Sequence, residues 1–117
     1  MPTADTPLPT TGHAQVDAQL RALQACCASL AEAQPLDPAI EAFKAQVRAL
    51  FDAEDTCLAD ADAALRDEQQ AEREEFEAFA DEVLSAAHFD GAELQRFATA
   101  WCLGHLHGTA GRLRQVG

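Results

Sequence analysis

A glutamate occupies a position where the sequence pattern predicts an apolar residue. Read as a helix, the segment around it has a stripe that steps by three and four residues: Ile40, Phe43, Val47, Leu50, Glu54, Cys57 and Ala61. Only Glu54 is charged, and a carboxylate facing a core needs a partner. Three more polar residues, Gln69, Arg73 and His105, fall on the inward stripes predicted for later helices. Four such groups either bind a metal ion or form a hydrogen-bonded cluster that replaces one.

The composition restricts both the fold and the partners. The 117 residues contain no Tyr and a single Ile, so strand formers are scarce and an all-α domain is predicted. A formal charge of -12 with one lysine argues against nucleic acid or an anionic membrane surface as a partner. No apolar run reaches the ~18 residues of a membrane span, and residues 1–12 do not resemble a targeting signal. We therefore expect a cytoplasmic protein with reduced cysteines.

Four helical segments follow a proline-rich beginning. Residues 1–12 contain three prolines and are predicted to form an extended arm. The periodic pattern predicts helices over about 14–33, 38–60, 64–87 and 91–113, with the second begun by Asp37-Pro38 and the fourth by an Asp90/Glu93 capping box. The second break, near 60–64, is inferred from a loss of the three-four rhythm. Residues 13–117 are thus predicted to form one antiparallel up-down-up-down four-helix bundle.

Several motifs together resemble the bacterial hemerythrins. They are Gln15-Val16-Asp17-Ala18-Gln19-Leu20, Leu50-Phe51-Asp52-Ala53-Glu54-Asp55, Phe76, and Trp101-Cys102-Leu103-Gly104-His105-Leu106. The resemblance spans roughly residues 11–115 and implies a bundle around a dioxygen-binding di-iron centre with five histidine ligands, one glutamate and one aspartate. The matching positions in this chain are Leu20, Leu50, Glu54, Gln69, Arg73, His105 and Ala110. Only Glu54 and His105 keep the residue type that the family uses as a ligand.

These replacements predict a bundle without a metal. A guanidinium stays protonated, so Arg73 would put a positive charge where the cation would lie, and we expect it to form a buried ion pair with Glu54. Gln69 and His105 would satisfy the remaining donors and acceptors, while Leu20 and Leu50 would fill the vacated volume. The predicted role is a binding or signalling module without a cofactor, acting on a protein partner or as a homo-oligomer. The alternative is a divergent hemerythrin that binds metal, dioxygen or another small ligand through Glu54, His105 and recruited donors, with Cys57, Cys102 and Gln69 as candidates.

Catalytic chemistry is not predicted. The sequence has no Ser-His-Asp set and no glycine-rich phosphate loop, and a glutamate paired with an arginine is a poor general base. Cys26 and Cys27 are adjacent and so lack the spacing of redox or zinc motifs. We expect Cys27, Cys57 and Cys102 to act as small buried apolar residues.

Overall fold

The computed structural model describes residue 11, residues 13–84 and residues 87–114, without the side chains of residues 109–111 and 114. It contains the helices α1 (Ala14–Ala28), α2 (Leu36–Cys57), α3 (Ala63–Glu82) and α4 (Gly91–Arg114), and a short 3₁₀ turn at Leu30–Glu32. The part of the chain so described has no strand, which confirms the all-α prediction and is compatible with a four-helix bundle. The predicted extended arm, apart from Thr11, lies outside the described residues.

The end of α1 is held by α4. Ser29 stops the helix five residues before the predicted end by donating its hydroxyl to the Cys26 carbonyl at 2.9 Å. The side-chain amide of Gln95 donates to the carbonyls of Cys27 and Ala28 at 3.1 and 3.0 Å. The backbone N–H of Ser29 also donates to the Cys26 and Cys27 carbonyls. The side-chain bonds add donors to the last turn of the helix, whose carbonyls lack the N–H groups of a following turn.

The start of α1 is tied down in a similar way. Asp17, in the first turn, accepts from the backbone N–H and the hydroxyl of Thr11 at 2.7 and 2.9 Å. One ring nitrogen of His13 lies 3.2 Å from the Leu113 carbonyl oxygen, so the beginning of α1 also contacts the end of α4. Both ends of α1 therefore bond to residues far along the chain.

The two middle helices depart slightly from their predicted ends. The predicted cap at Asp37 is wrong, because α2 begins at Leu36 after a cis Gln34–Pro35 bond. Pro38 then lies within the first turn, where its missing N–H breaks no helical hydrogen bond. The break predicted near 60–64 is confirmed, with helix absent from residues 58–62. The helix α3 ends at Glu82 rather than near residue 87.

The capping box at the start of α4 is confirmed. The Asp90 N–H donates to the Glu93 carboxylate at 3.0 Å, and the Glu93 N–H donates to the Asp90 carboxylate at 2.7 Å. Gly91 follows against the 3₁₀ turn, where a Cβ atom would lie 2.8 Å from the Ala31 carbonyl oxygen. The close approach of these two backbone segments requires glycine at this position.

One apolar core joins all four helices, and aromatic rings fill its middle. The centroid of the Phe76 ring lies 6.3 Å from those of Phe43 and Phe51. The helix α1 packs on α2 and α4, whereas the backbones of α3 and α4 approach each other closely at few points. These two helices meet mainly through long side chains. None of the described helices is both long and apolar enough to cross a lipid bilayer.

Candidate functional site

Glu54 lies at the centre of a buried polar cluster, with none of its surface exposed. One carboxylate oxygen accepts from the Gln69 side-chain amide at 2.9 Å. The other lies 2.7 Å from Nε2 of His105. The helices α2, α3 and α4 each contribute one of these residues, and Gln69 and His105 are themselves buried. The structure therefore brings together three of the four polar residues singled out in the sequence.

Arg73, the fourth, lies elsewhere, so the predicted Arg73–Glu54 ion pair is wrong. Its guanidinium binds Asp52 at 2.9 Å and Asp55 at 2.8 Å on the outer side of α2, with 25 % of the side chain exposed. It also lies 5.6 Å from the centroid of the Phe51 ring. The cause is helical register, because Arg73 lies about 100° around the helix axis from Glu72 and flanks the buried stripe of α3 on the side that faces α2.

Glu72, one residue earlier, contributes to the cluster in place of Arg73. It follows Gln69 by three residues and precedes Phe76 by four, so it flanks the buried stripe of α3 on the side that faces α4, with 28 % of its side chain exposed. Its carboxylate lies 2.5 Å from Nδ1 of His105 and 3.2 Å from the guanidinium of Arg112. The side chain of Arg112 is also buried. Gln69, Glu54, His105, Glu72 and Arg112 thus form one continuous polar cluster.

The sequence contained a signal for both residues that were missed. The rhythm Leu65, Gln69, Glu72, Phe76 alternates steps of four and three, which is more regular than the successive steps of four that led to Arg73. On α4, Arg112 lies seven residues after His105, two turns along the same face. Its side chain is buried, where it binds Glu72.

The electrostatics of the cluster keep His105 protonated near neutral pH. Burial by itself lowers the pKa of His105, but the hydrogen bonds and charges of Glu54 and Glu72 outweigh burial and raise the pKa to about 9. Burial likewise opposes ionisation of Glu72, yet its bonds to His105 and Arg112 lower its pKa. Two carboxylates, one imidazolium and one guanidinium then balance each other.

Aromatic rings hold the His105 ring in place. Trp101 stacks on it with a centroid distance of 4.7 Å and planes 7° apart, and Phe51 meets it edge-on at 5.1 Å. An imidazolium with both nitrogens bonded to carboxylates has no free lone pair to accept a proton. His105 is therefore unsuited to act as a general base at neutral pH.

The same arrangement does not fit a di-iron centre. Glu54 and Glu72 contact opposite nitrogens of one imidazole, so the three groups cannot converge on a single ion. Among the residues that the structure describes, no set of three or more His, Cys, Asp or Glu side chains could hold a metal. Leu20 and Leu50 are buried in the apolar core. Ala110 belongs to α4, but its side chain lies outside the described residues.

The cysteines considered as recruited donors have other surroundings. The sulfur of Cys102 lies 3.6 Å from that of Cys27, joining α4 to α1 in the core. The hydrogen bond between these thiols, together with burial, raises the pKa of Cys27. Cys57 is partly buried at the end of α2, and burial raises its pKa as well. Thiols with raised pKa values are poor nucleophiles and poor metal ligands at neutral pH.

In comparisons with known proteins, no protein-family model, no curated protein and no solved structure matches the chain.

Proposed function

We propose that the chain is a hemerythrin-like four-helix bundle that acts without a metal as a cytoplasmic binding or signalling module. The observation that carries the proposal is the polar cluster: both oxygens of Glu54 and both ring nitrogens of His105 already bond to protein groups. A metal would have to displace these bonds, and its charge would add to those of His105 and Arg112. Hydrogen bonding inside the bundle replaces coordination and links three helices.

Contacts at both ends of α1 support the antiparallel arrangement that the hemerythrin resemblance implies. The start of α1 contacts the end of α4 through His13 and Leu113, and the end of α1 contacts the beginning of α4 through Gln95. The position of Glu54 opposite His105 supports the resemblance itself, because these are the two ligand positions whose residue type is retained. All four cysteines are free thiols, which agrees with a reducing compartment.

The role of the cluster in this proposal is to hold the bundle in one arrangement, while its surfaces contact a partner or a second copy of the chain. A buried network of paired charges favours the arrangement in which its charged members meet. The cluster joins α2 and α3 to α4, where the backbones of the last two helices meet closely at few points. Recognition then depends on the outer faces and on the groove between these helices.

Metal analysis tests the proposal. Protein purified from iron-replete cells should contain iron, manganese and zinc far below one atom per chain by plasma mass spectrometry. Adding ferrous iron or zinc without air should leave the thermal midpoint unchanged, since a ligand that binds the native state raises that midpoint.

Metal binding would contradict the proposal, and a matched pair of variants would show where the metal binds. Stoichiometric metal, with a thermal midpoint that rises on metal addition, would overturn the proposal in favour of a divergent metal-binding hemerythrin. Loss of that effect in Glu54→Gln but not in Glu74→Gln would assign the metal to the polar cluster, because Glu74 is an exposed residue that bonds to Gln70 on the outer face of α3.

A further inference from the structure

A groove of about 390 Å³ separates α3 from α4 beside the polar cluster. Carboxylates and aromatic rings make up most of its lining, which Gly104 and the ring of His105 complete. The carboxylates and aromatic rings are Glu72, Glu75, Phe76, Phe79, Phe97 and Trp101. The groove exists because the backbones of these helices come close at few points, so that rings rather than small residues separate them. It is large enough for a small organic molecule.

Ring packing makes the aromatic wall a preformed surface. Phe79 stacks on Phe97 with centroids 4.8 Å apart, and Phe76 meets Trp101 at 5.2 Å. Phe79, Phe97 and Trp101 are only partly buried, although such rings usually lie inside a small domain. Because each ring is held by another, binding would require little additional ordering.

Glu75 supplies a carboxylate without a partner at this groove. It forms no hydrogen bond or ion pair with any other residue within the described ranges. Glu72 is different, since His105 and Arg112 already neutralise it. Among the described residues that line the groove, His105 carries a positive charge, which the charge of Glu72 offsets, and no lysine or arginine lines it. The remaining charge of the wall is therefore negative, as is the charge of the chain as a whole, at -12.

We infer that this groove binds a small organic cation, an alkylammonium or quaternary ammonium compound, with its charged head against the aromatic rings and beside Glu75. Aromatic faces attract cations through their quadrupole, tryptophan most strongly, and a carboxylate adds direct attraction. An anion would be repelled by Glu75. A metal ion would find no ligand in the rings and would remain hydrated. The inference rests on the proposed binding role and gives it a site and a ligand class.

Trp101 provides a direct measurement, because it is the only tryptophan in the chain and there is no tyrosine. Its fluorescence should change on titration with choline, and the change should saturate. The probe for charge is 3,3-dimethyl-1-butanol, which has the same shape but a neutral carbon in place of nitrogen. We expect choline to bind at least roughly fivefold more tightly than this alcohol. Both titrations use sodium chloride to match the ionic strength.

Two variants locate the binding site. Glu75→Gln should weaken choline binding severalfold, while Glu74→Gln, on the neighbouring position, should not. Gly104→Leu should abolish it by filling the groove, since Gly104 lines the groove and a Cβ atom there meets nothing within 4 Å. Circular dichroism and the thermal midpoint should show that this variant remains folded.

Three results would overturn the inference. Two of them are equal binding of choline and the neutral alcohol, and a lack of saturable choline binding at millimolar concentrations. Retention of choline binding in both Glu75→Gln and Gly104→Leu would also overturn it. None of these results depends on metal content, so they leave the metal-free proposal to be judged by its own test.

Discussion

The free energy of unfolding should decrease as the pH rises from about 6 to 8.5, because folding holds a proton on His105. The ring lies between the carboxylates of Glu54 and Glu72, and both of its nitrogens donate to them when it is charged. In the unfolded chain these partners are lost and the imidazole titrates at its ordinary pKa. The test therefore varies only the pH and uses the unmodified protein.

The size of the effect follows from the two pKa values. The pKa of His105 is about 9 in the folded protein and 6.5 in the absence of its partners. A pKa raised by folding contributes stability that is complete below pH 6.5 and is lost as the pH passes through 9. The difference between 9 and 6.5 corresponds to about 3 kcal/mol, of which roughly 2 kcal/mol is lost between pH 6 and 8.5.

Urea denaturation followed by circular dichroism measures this loss at constant ionic strength. The chosen range avoids two other groups. The lowered pKa of Glu72 contributes stability that is lost only at acidic pH, and the raised pKa of the Cys27 thiol reduces stability mainly above its ordinary value of 9.0. His105→Gln should remove most of the dependence on pH. His107→Gln should retain it, because His107 is an exposed residue on the same helix.

Unfolding free energy that stays constant or rises over this range would refute the protonated state assigned to His105. The same dependence in wild type and in His105→Gln would show that other groups release the protons. In either case the polar cluster would have to be reinterpreted with a neutral imidazole that donates to only one carboxylate.

Three further predictions concern packing. His105→Ala leaves a buried glutamate without its charged partner and should lower the free energy of unfolding, measured by urea denaturation, by about 3 to 5 kcal/mol. Arg73→Ala breaks only partly exposed ion pairs and should lower it by less than about 1 kcal/mol. Equal losses in the two variants would contradict the assignment of the cluster. Gly91→Ala should lower the thermal midpoint, measured by calorimetry, because its Cβ atom would lie 2.8 Å from a backbone carbonyl oxygen. Gly104→Ala should raise the midpoint, because a Cβ atom at that helical position meets nothing within 4 Å. The reverse order would argue against this packing of α4. The Cys27 thiol should react with iodoacetamide more slowly than the partly exposed thiols of Cys26 and Cys57, because a hydrogen bond and burial raise its pKa. Mass spectrometry can follow the three rates. Similar rates would indicate an open core.

The agreement between sequence and fold has a local cause. Helix propensity, the three-four spacing of apolar residues and capping pairs such as Asp90 and Glu93 act within a few residues, so they can be recognised without knowledge of the partner helices. The early end of α1 shows the limit of such signals. Besides the local bond of Ser29 to Cys26, this end is held by Gln95, which comes from α4 and lies 67 residues from Ala28 in the chain.

The burial of polar residues was predicted correctly where the apolar stripe is regular and incorrectly where it is ambiguous. Glu54 and His105 lie on unbroken apolar stripes, and both are buried. On α3, Glu72 and Arg73 differ by about 100° around the helix axis, and either can follow Gln69 on an inward face. Arg73 appeared the better partner for Glu54 on charge alone. The structure instead uses the imidazole as the cation and a second glutamate to balance it.

Three properties could be predicted from the order of residues along single helices: the helical fold class, the break between α2 and α3, and the inward direction of Glu54, Gln69 and His105. Which side chains meet depends on how the helices are arranged in three dimensions. The rotation and axial offset of α3 relative to α2 and α4 direct Arg73 to Asp52 and Glu72 to His105. The same offset leaves the aromatic groove open between α3 and α4. The side-chain partners and the groove both depend on how the helices are placed relative to one another, which the periodicity along one helix does not encode.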